Sequence, residues 1–160
     1  MSDHAAAGHR LLRPWKHLSS VPGGHALFSR LLGRMVPYTG SLGALLVELE
    51  PGHAVARLSD RKRVRNRLGS IHAVALVNLG EMTTGIAVLS ALPANIRGIV
   101  TGLSTVYLHK ARGHLTAAAD VRALSLNHVV EVREIQVVSE IRNESGQVVA
   151  RVTATWRIGP

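Results

Sequence analysis

IHAVALVNLGEMTTGIAVLSAL, residues 71 to 92, is the stretch on which the reading of this chain turns. Glu81 is its single charged residue apart from the titratable His72. Its apolar residues fall on every side of a helical wheel, so the spacing predicts a helix enclosed by the rest of the chain rather than laid on a surface. A carboxylate in the middle of such a helix is costly unless it is paired, hydrogen-bonded or protonated. Leu92-Pro93-Ala94-Asn95 closes the helix, because proline cannot continue a helix interior. The run is long enough to cross a bilayer. However, a central Glu costs about 2.5–3.5 kcal/mol on insertion scales, and Asn78, Thr83, Thr84 and Ser90 add polarity. The expectation is a core helix of a soluble protein, with no membrane partner.

The elements around it follow from local pattern. Residues 1–9 read as a loose tail, and the short apolar pattern from Leu11 to Leu18 is broken by Pro14. His25 to Val36 reads as a helix, with Leu27, Phe28, Leu31, Leu32 and Met35 at helical spacing, ended by Pro37 and Gly40. Ala44–Glu50 and His53–Ser59 read as strands joined by the two-residue turn Pro51-Gly52, hence a hairpin. Asp60 to Gly69 is a loop rich in arginine. After the helix come four more strands: Ile99–Lys110, His114–Leu124, Glu131–Asn143 and Val148 onward. In the last, Val148, Ala150, Val152, Ala154, Trp156 and Ile158 alternate with Val149, Arg151, Thr153, Thr155 and Arg157. Leu103, Tyr107, Ile135 and Trp156 are expected in the core, with the lining of an acyl tunnel as the alternative for some of them. The connections are too short for parallel crossovers, so the sheet should be antiparallel. One enclosed helix and about six strands give an α+β layer in which the sheet wraps the helix.

Composition limits the function. At 160 residues the chain is long enough to bury a core without cross-links. It contains no cysteine, which removes disulfide and thiolate chemistry and is compatible with a cytoplasmic location. Its histidines show no metal-ligand spacing, so no metal is expected. There are 19 Lys and Arg against 10 Asp and Glu; residues 10–67 alone hold 11 basic and 3 acidic residues. Such a basic half suits an anionic partner. Nucleic acid is the weaker choice, since the one Phe, two Tyr and two Trp are not interleaved with the arginine run as a stacking platform requires.

Asn66-Arg67-Leu68-Gly69-Ser70-Ile71-His72-Ala73 followed by Glu81 carries a more specific signal. Asn, two residues, Gly, two residues, His, and an acid nine positions after the His resembles the signature of the PaaI-like (phenylacetate-pathway type) acyl-CoA thioesterases of the hotdog fold. The likeness continues through Gly98-Ile99 and Tyr107 into the last strands. It implies a hotdog domain over residues 40–160, preceded by an N-terminal tail and short helices over residues 1–39. It also implies thioester hydrolysis without a cofactor, coenzyme A entering as part of the substrate. Glu81 matches the helix acid that acts as general base or nucleophile, and Asn66 the residue that holds the carbonyl or orients water. Ala73 matches the N–H donor to the oxyanion, and His72 is read mainly as fixing the turn into the helix. Gly69 and the Arg63, Arg65 and Arg67 side chains are candidate substrate contacts, the arginines for coenzyme A phosphates, with Arg97 or Arg112 contributing. Two departures stand out. The usual Gly-Gly after the His is Ala73-Val74 here, and the strand position where some members carry a catalytic Ser or Thr aligns with Val100, beside Thr101.

Helix geometry adds a constraint. Nine residues separate His72 from Glu81, which puts them about 180° apart on the wheel and roughly 13 Å apart along the axis. One chain can hardly aim both at one bond, whereas two antiparallel copies can. The expected assembly is a homodimer with two shared sites, with a tetramer also open. The alternatives are a non-catalytic module binding acyl-CoA or an acyl carrier, and a basic nucleic-acid-associated protein.

Overall fold

The computed structural model describes residues 7–160. Three helices, α1 (Ala7–Leu18), α2 (Gly24–Met35) and α3 (Pro37–Leu42), lead into the hairpin β1 (Leu45–Glu50) and β2 (His53–Leu58). The long helix α4 (Ala73–Ala91) follows, then β3 (Arg97–Tyr107), β4 (Leu115–Asp120), β5 (Arg133–Arg142) and β6 (Val148–Gly159). All strands join one six-stranded sheet in the order β1-β2-β4-β5-β6-β3, with every neighbouring pair antiparallel. The sheet curves round α4, which is the hotdog arrangement expected from the sequence.

The wrapping depends on small side chains. The ladders Ala54–Ala119–Ser139–Val152 and Ala56–Ala117–Ile141–Ala150 run across the inner face of four strands. All eight residues are buried. Alanines there let the sheet come close to the helix, and Gly80 takes the closest approach: a Cβ at Gly80 would lie 2.4 Å from Val152 Cβ. Ser90 ties the far end of the helix to the hairpin: its hydroxyl donates to Glu50 O (3.1 Å) and accepts from Gly52 N–H (3.0 Å). Helix α4 is long and apolar enough to span a membrane, but most of it is buried within the sheet.

The local expectations hold with shifts that have physical causes. Of the tail expected over residues 1–9, residues 1–6 lie outside the described residues, and Ala7 already begins α1. Pro14 does not break that helix. The turn after it is held by Trp15, which is buried, stacks on His25 at a centroid distance of 4.8 Å and meets Phe28 edge-to-face at 5.1 Å. Pro37 ends α2 yet opens α3, where a missing N–H costs nothing at a first helical position. The arginine loop contains a single 3-10 turn, Lys62–Val64. β4 stops at Asp120, short of Leu124, because the Asp120 carboxylate accepts from the Arg122 backbone N–H and turns the chain.

One expectation about the core is corrected. Trp156 is buried, but Leu103 and Tyr107 are 45% and 49% exposed. They face the helix side of β3, paired with Ala154 and Ala150. β3, however, is an edge strand, so nothing covers them from beyond. Gly80→Ala should cost about 1–3 kcal/mol by overpacking against Val152, read as a lowered urea midpoint with unchanged slope.

Candidate active site

Asn66 builds the turn that leads into α4. Its side-chain Oδ1 accepts from the N–H groups of Leu68 (2.9 Å) and Ser70 (3.2 Å), and its own N–H donates to Ser70 O (2.8 Å). Gly69 sits at φ +69°, a conformation that L side chains rarely adopt. The next two residues are pinned from both sides: Ile71 N–H donates to Ala111 O and His72 N–H to Val64 O, each at 2.8 Å.

His72 is the N-cap. Its backbone is extended (φ −64°, ψ 138°), and its Nδ1 accepts from Val74 N–H at 3.2 Å. That bond requires an unprotonated Nδ1, so a neutral ring carries its proton on Nε2. Ala73 is the first helical residue and is exposed. Its N–H has no intrahelical acceptor, as for any first-turn donor. Among the described residues Ser125 is the only non-glycine with positive φ, so Ala73 meets no backbone strain. The donor that a glycine would offer is therefore kept, at the positive end of the helix dipole. Val74 beside it is 52% exposed.

Glu81 lies two turns further on and is half-buried. Among the described residues no cation pairs with its carboxylate, and burial alone pushes its pKa above the ordinary value. Gly85, one turn on, leaves a gap beside it. A Cβ there would lie 4.0 Å from Glu81 Oε1 and 3.4 Å from the Trp156 indole. Sequence reasoning singled out neither Gly85 nor Trp156 as a neighbour of Glu81; only the pairing of β6 under α4 places the indole there.

The basic loop divides into two parts. Arg61 donates to Leu42 O (2.6 Å) and Gly43 O (3.3 Å), holding the end of α3. Arg65 pairs with Asp60 through Nε (2.5 Å), and that guanidinium holds the Asp60 carboxyl below its usual range. Arg63 and Arg67 are exposed and have no ion-pair partner among the described residues. Arg63 and Arg65 line an open cleft of about 250 Å³ with Tyr38, His72, Val74 and Asn78, at the start of α4. Asn78 Oδ1 is buried there without a hydrogen-bond partner. Asn78 was visible in the sequence only as a polar interruption of the helix; its place in this cleft depends on α3.

Val100 and Thr101 separate. Val100 pairs with Trp156 and faces the helix. Thr101 occupies a bulge, and its hydroxyl bonds Thr155 O (3.3 Å) on the outer face, 3.5 Å from Glu134. The structure therefore brings together Asn66, Gly69, His72 and Ala73 at one end of α4, with Arg63 and Arg65 beside them. It leaves Glu81 on another face of the helix, beside Gly85.

The profile of the family described as Domain of unknown function (DUF4442) matches residues 24–158. The chain belongs to this family. Solved structures give this DUF4442 chain its fold relatives. The structural-genomics protein APC5556 is 27% identical, covers 97% of this chain and 99% of its own, and has a TM-score of 0.81. The protein PA5026 of Pseudomonas aeruginosa, described as of unknown function and a probable thioesterase, is 23% identical over 87% and 96%, with a TM-score of 0.75. A single-residue mutant of the phenylacetic acid degradation protein PaaI of Thermus thermophilus is 22% identical over 76% and 97%, with a TM-score of 0.62. At such identities the last two establish the fold, which is the PaaI-like hotdog. No curated protein matches the chain.

Glu81 also sets a pH dependence. Its folded pKa lies above the unfolded one, so its contribution to stability is fully present below about pH 4.5 and is lost as pH rises through the folded value. Glu81→Gln removes that loss. Denaturant melts should show the variant level with wild type below about pH 4.5 and more stable by a margin that grows as pH rises through the folded value and then stays constant.

Proposed function

We propose that this chain hydrolyses an acyl thioester, carried on coenzyme A or on an acyl carrier, at a site shared by two copies of itself. The observation that carries this reading is the disposition of α4. An exposed helix start offers the Ala73 N–H, while a desolvated carboxylate without a cation sits about 12 Å further along the same helix on a different face. Neither feature serves packing, and one chain cannot bring the two to one carbonyl.

In this reading the thioester carbonyl lies against Ala73 N–H, where the helix dipole and the oriented donor stabilise the oxyanion. Asn66 Oδ1 is engaged by the turn, so its amide Nδ2 is the group left to orient the carbonyl or the attacking water. The partner's Glu81 takes the proton as water adds to the carbonyl carbon. The C–S bond then breaks, and the protonated carboxyl returns the proton to the departing thiolate. A raised pKa brings Glu81 closer to the range in which a general base works best. Direct attack by Glu81 to give a mixed anhydride, then hydrolysed by water, uses the same placement. Arg63 beside the helix start, with Arg67 on the same loop, would meet coenzyme A phosphates, while Arg65 is engaged by Asp60. The uncovered edge of β3, with Leu103, Val106 and Tyr107 exposed, is a surface that a second copy of β3 would extend and cover.

A second reading, binding without turnover, is favoured by one observation: the exposed Val74 side chain stands where a glycine would leave the approach open. Acyl-CoA would then raise the melting temperature with no thiol released.

With a panel of acyl-CoA substrates and a free-thiol assay, Glu81→Gln should lower kcat/KM by about 10²–10⁴-fold. Wild-type kcat/KM should rise with pH through an apparent pKa above 4.5. Full activity in the variant would overturn the mechanism. The shared site has its own test. Glu81→Gln and Asn66→Ala chains, inactive alone, should regain about a quarter of wild-type activity when unfolded together and refolded at equal amounts, since half the dimers are mixed and each has one intact site. No recovery would place Glu81 and Asn66 of one chain in the same site.

A further inference from the structure

A second cleft, away from Glu81, Asn66 and Ala73, lies where the N-terminal helices meet the end of α4 and the start of β3. It encloses about 830 Å³, within the range of small-molecule pockets, about 300–1,000 Å³. Leu11 of α1, Leu32 of α2 and Leu89 of α4, all half-buried, line it with the buried Ile96. Met35, 70% exposed, and Val36, 47% exposed, carry this apolar lining out to solvent.

The charged side chains that line it are of one sign. Arg10 of α1 and Arg97, the first residue of β3, both line the cleft and both are exposed, with Asn95 nearby. Among the described residues no Asp or Glu side chain lines it, and neither guanidinium has an ion-pair partner. Two cations brought from separate elements to one apolar cleft, with no Asp or Glu side chain among the described lining residues, suit an anion with a hydrocarbon tail. A guanidinium meets a carboxylate with two parallel hydrogen bonds, and an alkyl chain is satisfied by the leucines and Ile96.

We propose that this cleft binds a fatty acid, its carboxylate held by Arg10 and Arg97 and its chain lying among Leu11, Leu32, Leu89 and Ile96. The site does not depend on thioester hydrolysis, because it shares no residue with the start of α4 or with Glu81.

Isothermal titration of the full chain with monomeric dodecanoate tests it. Wild type and Glu81→Gln should bind equally and saturably. The double variant Arg10→Gln/Arg97→Gln should bind about tenfold more weakly or worse, each lost charge-assisted bond being large on this scale. Met35→Glu, which puts a carboxylate at an exposed lining position, should weaken binding as well. Acetate, lacking the tail, and dodecyltrimethylammonium, with the opposite charge, should not bind. The proposal is overturned if dodecanoate does not saturate, if the double variant binds like wild type, or if the cationic amphiphile binds as well. It is also overturned if Glu81→Gln abolishes binding, which would move the fatty acid to the proposed catalytic site. Light scattering on Met35→Glu should give the wild-type mass; a smaller one would mean that a second copy covers the cleft, and would overturn it too.

Discussion

The close approach of one helix to one sheet is the constraint on which the rest depends. Helix α4 has apolar groups on every side, and a single layer of sheet must bend far enough to cover most of it. That is achieved by alanines on the inner ladders and by Gly80 against Val152, where even a methyl group has no room. The same closeness makes the helix a rigid axis. Its N-terminus is held by the Asn66 turn and the His72 cap, and its far end by Ser90 on the hairpin turn. A site built at its start is therefore fixed from two directions.

Within that axis Glu81 is the cost. Burial raises its pKa, and among the described residues no cation offsets it. Fold stability alone disfavours a carboxylate at this place beside Gly85, and the chemistry proposed for Glu81 would give that cost a use. The contrast with Arg61 and Arg65 is instructive. Both belong to the arginine-rich loop, and Arg65 was read there as a substrate contact, yet Arg61 holds the end of α3 and Arg65 is engaged by Asp60. Charge counting identifies a basic loop, but hydrogen-bond partners decide which of its members are available to a ligand.

Much of the fold was legible from pattern. The two-residue turn at Pro51-Gly52, the period-2 strands and the enclosed helix with one carboxylate are local properties, written in residues a few positions apart. The helix-start motif was legible for the same reason: Asn66, Gly69 and His72 act on backbone groups within four residues of themselves. Pro14 misled, because a proline disfavours a helix locally but Trp15 packing overrides it.

The sequence by itself determined the order of elements, the dry helix, the isolation of Glu81 and the geometry of the turn before Ala73. Only the tertiary structure decided which strand lies at the edge, and so that Leu103 and Tyr107 are open rather than core. It also decided that Trp156 sits against Gly85 beside Glu81, that Val100 and Thr101 part to opposite faces, and that Arg10 and Arg97 line one apolar cleft. The physical reason is the same in each case. Periodicity states which face of an element is apolar, whereas the neighbour across that face is chosen by non-local pairing, over separations that no local pattern records.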